Sequence, residues 1–125
     1  VYNQRLNNVI NQKEKIIARK FECYRDKAGE YRFRLKAANS QVVLSSEGYK
    51  SKAACMNGIE SVQKNCSDPD CFERKTTASG KYRFSLKSTN GQVIGTSQNY
   101  KSDSGCRNGM GAVARAAKGA SVVEV

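Results

Sequence analysis

Histidine and tryptophan are absent from this chain, and Pro69 is its only proline. Without histidine no side chain has an ordinary pKa near neutrality, so the Ser/His and Cys/His nucleophile pairs and the commonest zinc ligand are all excluded. A catalytic scheme would have to rest on cysteine, lysine, tyrosine or carboxylates, and none of these gathers into an acid, base and nucleophile set. An enzyme is therefore the reading the sequence supports least, and no cofactor is implied. No run approaches the roughly 18 apolar residues of a membrane span. No signal peptide or lipidation motif is evident, the Val1 start leaves a processed leader open, and the compartment is unassigned with the cytoplasm favoured.

Acidic residues are scarce as well. The chain has 11 Asp and Glu against 22 Lys and Arg, a net charge of +11, which favours acidic partners such as nucleic acid, an anionic membrane surface or an acidic protein. A merely soluble cationic surface accounts for the same count, because net charge speaks to association and not to fold. With 125 residues and 38% hydrophobic content there is enough chain for one core, which points to a single domain.

What is present is a repeat. Glu30 to Gly58 reads EYRFRLKAANSQVVLSSEGYKSKAACMNG, and a gap-free step of 51 residues lays it on KYRFSLKSTNGQVIGTSQNYKSDSGCRNG, Lys81 to Gly109. The same step carries Phe21-Glu22 onto Phe72-Glu73, and those onto Val123-Glu124. The segment Cys71 to Thr76 is thus both the tail of one unit and the head of the next. The units span 21–70 and 71–125 of a single domain, with residues 1–20 outside it as an arm.

Within each unit the hydrophobic period changes in the same order. Tyr31, Phe33, Leu35 and Ala37 alternate with Arg32, Arg34 and Lys36, the period-two pattern of a half-buried strand, and Tyr82, Phe84 and Leu86 alternate with Arg83, Ser85 and Lys87. Shorter strands precede these at Phe21 to Arg25 and Phe72 to Thr76. Third strands follow the Asn39-Ser40 and Asn90-Gly91 turns, at Gln41 to Ser46 and Gln92 to Ser97. Ser51 and Ser102 have the hydroxyl that caps a helix N-terminus, predicting helices over Lys52 to Asn65 and Asp103 to Ala116. Cys55, Ile59, Val62 and Cys66 share one face of the first, and Cys106, Met110, Val113 and Ala117 one face of the second. The expected fold is α+β: two tandem β-β-β-α-β units in one antiparallel sheet, closing strands shared or exchanged, both helices on one face and the other face open.

Asn57-Gly58 and Asn108-Gly109 stand in mid-helix, where glycine costs about 1 kcal/mol relative to alanine, so close approach of the helix to the sheet is the expected compensation; an Asn-built polar site is the rival. Asp68, Pro69 and Asp70 read as a turn. Cys66 and Cys71 flank it without cysteine counterparts in the second unit, and their spacing permits either a short disulfide or two free thiols. Cys55 and Cys106 read as small buried hydrophobes, Cys23 is left over, and the odd total with this spacing argues against a metal centre.

The strings EYRFRLKAAN, SEGYKSKAACMNGIESVQKN and KYRFSLKSTNGQVIGTSQNY closely resemble the YegP-like family of small bacterial and archaeal proteins, over Phe21 to Val125. The resemblance implies one sheet with closing strands exchanged between units, in members that are dimerising single units or tandem pairs. It implies no catalytic residues, because the family's role is uncharacterised. This chain departs from the pattern at Cys66 and Cys71, at Gly111-Ala112 where the first copy has Glu60-Ser61, and in the N-terminal extension.

In that extension Leu6, Val9, Ile10, Ile16 and Ile17 recur at roughly helical spacing, the pattern of an amphipathic helix with a cationic side, either docked on the domain or attached to a partner. The candidate site is the open sheet face, where Arg32, Arg34, Lys36, Arg83 and Lys87 project away from the aromatic core and Tyr24 joins them from the neighbouring strand. Such a face could hold phosphates and stack a base. Glu22 and Asp26 could instead pair with the same cations. In outline, three strands followed by a packed helix also resemble domains that insert a sheet into the DNA major groove. The expected function is a non-enzymatic basic binding protein, with nucleic acid as partner. The alternatives are an accessory subunit of a larger assembly or a stress-associated protein. The tandem copy already contains its own pseudo-dimer, so a monomer suffices.

Overall fold

A computed structural model describes residues 19–125, so the helical reading of the arm lies outside the described residues up to position 18. Seven strands and two helices follow in the order β1 (Lys20–Arg25), β2 (Tyr31–Lys36), β3 (Val42–Ser45), α1 (Lys52–Asn65), a 3₁₀ turn (Pro69–Cys71), β4 (Phe72–Thr76), β5 (Tyr82–Lys87), β6 (Val93–Thr96), α2 (Asp103–Lys118) and β7 (Ser121–Glu124). Both helices start where a serine caps them: Ser51 accepts from the Ala54 N–H at 3.1 Å and Ser102 from the Gly105 N–H at 3.0 Å. Asp68 caps the 3₁₀ turn in the same way, accepting from the Asp70 N–H at 3.0 Å.

The strands form one sheet in the order β4-β5-β6-β3-β2-β1-β7. Each half is an antiparallel meander, with Cys23 opposite Phe33 in the first and Arg74 opposite Phe84 in the second, and the halves join at Ser45 opposite Thr96. Each helix crosses from its own half onto the other. α1 packs on β2, β5 and β6, and α2 on β5, β3, β2 and β1.

Two expectations change here. The sheet is mixed, because β7 runs parallel to β1, with Lys20 opposite Ser121 and Cys23 opposite Glu124. The oblique path of α2 explains this: it releases the chain beside the start of β1, so the strand that follows runs the same way. The segment after α1, in contrast, pairs only with β5. It opens the second half and closes nothing in the first, which leaves β4 with an outer edge that no described strand covers. The exchange is therefore one-sided, with the second unit's closing strand on the first unit's opening strand.

The apolar face lies between sheet and helices. Phe21, Phe33, Leu35, Leu44, Phe84 and Leu86 of the sheet are fully buried against Cys55, Val62, Cys106 and Val113 of the helices. Each large side chain removed from water in this way contributes roughly 1.5–3 kcal/mol. Gly58 and Gly109 have the close approach that the sequence suggests, but the neighbours are tyrosines from the β3–α1 and β6–α2 connections. A Cβ on Gly58 would lie 2.8 Å from Tyr49 Cζ, and one on Gly109 2.6 Å from Tyr100 Cζ. These rings stack on Phe33 and Phe84 at 6.2 and 6.3 Å between centroids, so each glycine makes room for an aromatic wedge between helix and sheet.

Candidate nucleic-acid interface

Strand alternation puts every second residue of β1, β2, β4 and β5 on the face away from the helices. Seven cations stand there, Lys20, Arg32, Arg34, Lys36, Lys75, Arg83 and Lys87, with three carboxylates, Glu22, Asp26 and Glu73. The face thus has an excess of positive charge, unevenly neutralised.

In the first half the carboxylates are central. Glu22, only 5% exposed, receives Arg34 Nε at 2.6 Å, Lys36 Nζ at 3.2 Å and Lys20 Nζ at 3.6 Å. Burial alone would push its carboxyl up, but the hydrogen bonds from Arg34 and Lys36 outweigh that and hold it below the usual range. Arg32 donates from Nε to Asp26 Oδ2 at 2.7 Å, and Asp26 is fixed by accepting from the Ala28 and Glu30 N–H groups at 2.9 and 3.0 Å. The Arg32 hydrogen bond first, then that from Glu30, lowers the Asp26 carboxyl. Arg34 also lies over the Tyr24 ring, 4.6 Å from its centroid, so Tyr24 is half-buried with one face already occupied. Arg32, Arg34 and Lys36 are thus all in ion pairs.

The second half is poorer in acid. Glu73 takes Lys87 at 2.7 Å and Lys75 at 3.2 Å, and these two hold its carboxyl low. Arg83 stands opposite Lys75 and meets no carboxylate among the described residues. Lys20 and Lys75 were not among the sequence candidates. Lys75 is recoverable from the Glu73-Lys75 alternation, whereas Lys20 lies one residue before Phe21, where the sequence pattern starts the strand.

Between the halves the face holds a hollow of about 570 Å³ lined by Arg32, Ser45, Ser46, Thr96, Ser97 and Gln98 among others. Two of its serine hydroxyls are already engaged: Ser46 accepts from the Phe33 N–H at 2.8 Å and Ser97 from the Phe84 N–H at 2.9 Å. The described residues hold no cluster of metal-ligating side chains and no helix long and apolar enough to cross a membrane.

Of the two states open for Cys66 and Cys71, the structure has the thiols. Cys66 Sγ turns to the Gln63 carbonyl at 3.5 Å and Cys71 Sγ to Asn65 Oδ1 at 3.8 Å, and all five cysteines are buried and free. Asn57 and Asn108 are exposed on separate helices and build no common site.

A family model described as a domain of unknown function, DUF1508, matches twice, over residues 26–73 and 78–124. A UPF0339 protein in the ptx operon 5′ region of Stutzerimonas stutzeri is 53% identical over 105 residues, which cover 84% of this chain and 95% of that protein. The UPF0339 protein YegP of Yersinia pestis is 43% identical over 93 residues, 74% of this chain and 83% of its own. Among solved structures, the solution NMR structure of the Escherichia coli protein of unknown function yegP superimposes with a TM-score of 0.81 at 35% identity, covering 85% of this chain and 91% of that one.

Proposed function

Because the chain belongs to the DUF1508 family, whose description assigns no activity, we propose from its own surface that it is a non-enzymatic binding protein that takes single-stranded nucleic acid on the open sheet face. The observation that supports this is the seven cations set against three carboxylates on one sheet face, with Arg83 in no ion pair among the described residues. The second half supplies the first phosphate contacts, from Arg83, Lys75 and Lys87. Arg34 and Tyr24 offer a stacked pair at the far end, on which a base can rest. A strand with splayed bases fits a broad sheet better than a duplex does.

Binding to labelled single- and double-stranded oligonucleotides across a salt series tests this. Each phosphate contact is expected to contribute a slope of about −0.7 in log K against log salt for single strands. No binding at low salt, or binding unchanged when Arg32, Arg34 and Arg83 are all replaced by Glu, would sink the reading.

A second reading, an accessory subunit, has its own observation. Val122, Val123 and Val125, 43%, 37% and 63% exposed, are the large apolar side chains left in solvent among the described residues, and they lie together at the β7 edge. Concentration-dependent sedimentation that disappears in Val123→Lys would favour it.

A further inference from the structure

We propose that Cys23 and Cys55 are a redox modification site, forming a reversible disulfide that ties β1 to α1. Their sulfurs lie 3.7 Å apart in the core, the single Sγ–Sγ contact among the described residues. Cys23 is on β1 and Cys55 in the first turns of α1, so the bridge would join two elements that meet at this thiol contact, 32 residues apart in the chain. Bridging closes this contact to a bond of about 2.05 Å.

The repeat supplies an internal comparison. Cys106 is the counterpart of Cys55 and equally buried, but the counterpart of Cys23 is Arg74, which reaches out to Asp103. Arg74 stands exposed on the uncovered β4 edge, whereas Cys23 is buried, so the thiol pair occurs only in the half that β7 covers.

Access is the second element. Cys23 lines a hollow of about 250 Å³ with Tyr24, Arg25, Tyr31, Lys52, Glu124 and Val125. Its cover is light: the Val125 N–H donates to the Cys23 carbonyl at 3.0 Å, and the Lys52–Glu124 ion pair has side chains 50% and 57% exposed, a pair of small worth in water. All four residues of β7 are exposed, so local opening of that strand is the low-cost motion that admits a small oxidant. Until it opens, burial keeps the pair unreactive. Burial first, and the neighbouring Cys23 second, push the Cys55 thiol up to about 12.

With hydrogen peroxide as oxidant the steps balance. The Cys23 sulfur attacks one peroxide oxygen, the O–O bond breaks, and Cys23 sulfenic acid and one water form. The Cys55 sulfur then displaces the sulfenic hydroxyl, the S–S bond forms, and the thiol proton leaves with the hydroxyl as a second water. Two electrons pass from the two thiols to the peroxide, and a small dithiol returns them.

The test uses the folded full chain, treated with hydrogen peroxide, unfolded, alkylated and mapped by peptide mass. A loss of 2 Da confined to the peptides of Cys23 and Cys55, reversed by dithiothreitol, is the expected result. Alkylation of both cysteines after a dose that oxidises Cys66 or Cys71, or a bridge that maps to another pair, would overturn the proposal. Lys52→Glu sets like charges across the cover and is expected to speed bridging several-fold. An unchanged rate, with circular dichroism unchanged, overturns β7 as the route.

Discussion

Arg32 and Arg83 occupy the same place in the two halves of the sheet, but among the described residues only Arg32 meets a carboxylate. Asp26 accepts from Arg32 Nε at 2.7 Å, whereas the residue one repeat step beyond Asp26 is Thr77, so Arg83 is left to solvent. The two halves share a backbone and differ in electrostatic availability.

The first prediction follows from that contrast. Arg83→Gln is expected to reduce the salt slope of oligonucleotide binding by about 0.7, the loss of one phosphate contact. The double replacement Arg32→Gln with Asp26→Asn removes a neutral pair and is expected to leave slope and affinity close to the parent. Equal losses in both proteins, measured by fluorescence anisotropy, would mean that the two arginines are used alike.

Glu22 is the anchor of the first half. Glu22→Gln leaves Lys20, Arg34 and Lys36 facing one another without their shared acceptor, and is expected to cost about 1–2 kcal/mol, below the cost at a fully buried pair because the cations are partly solvated. Its carboxyl is lower in the folded chain than in the unfolded one, so the contribution is complete above the ordinary carboxylate range and is lost as pH falls through the folded value. Urea midpoints measured from neutral to acid pH should converge for parent and variant at the acid end.

Gly58→Ala and Gly109→Ala are predicted to invert the usual rule. In an open helix the change stabilises by about 1 kcal/mol. Here the new Cβ meets Tyr49 or Tyr100, and forcing the rings aside is expected to cost roughly 1–3 kcal/mol. Tyr49→Phe removes the nearest atom and should recover part of the loss in Gly58→Ala. A denaturation midpoint that rises in either single variant would show that the wedge does not hold.

Cys66 and Cys71 are expected to alkylate completely in protein unfolded without reductant. Their thiols turn to the Gln63 carbonyl and the Asn65 amide oxygen, and a fragment carrying both should gain two labels. A fragment with none, 2 Da lighter, would mean that the turn closes on a disulfide.

Much of this was legible in the chain. Phe33, Leu35, Phe84 and Leu86 alternate with charged residues strictly enough to fix strand faces, and Ser51 and Ser102 mark helix starts because few other side chains satisfy the orphan N–H groups there. The direction of β7 was not legible. Ser121 to Glu124 has a pattern that suits either orientation, and its placement is decided by where the long oblique α2 lets go of the chain. The ion pairs of the open face were visible as one of two alternatives. Arg32 and Asp26 meet because backbone N–H groups of the β1–β2 turn hold the aspartate, a contact that depends on turn geometry rather than on spacing. The Cys23–Cys55 contact joins a strand to a helix, and neither element's own periodicity reports it.

The clasp of β7 on β1 sets an order of events during synthesis. β1 is among the first segments of the domain to leave the ribosome and β7 among the last, about a hundred residues later, an interval of roughly 5–20 s at ordinary elongation rates. Throughout it the outer edge of β1 has no strand beside it, and Cys23 lacks the cover that Val125 and Glu124 later provide. The nascent chain thus passes through a stage in which one sheet edge and one thiol are open, so that edge is where a chaperone, an oxidant or a second nascent copy would first find purchase.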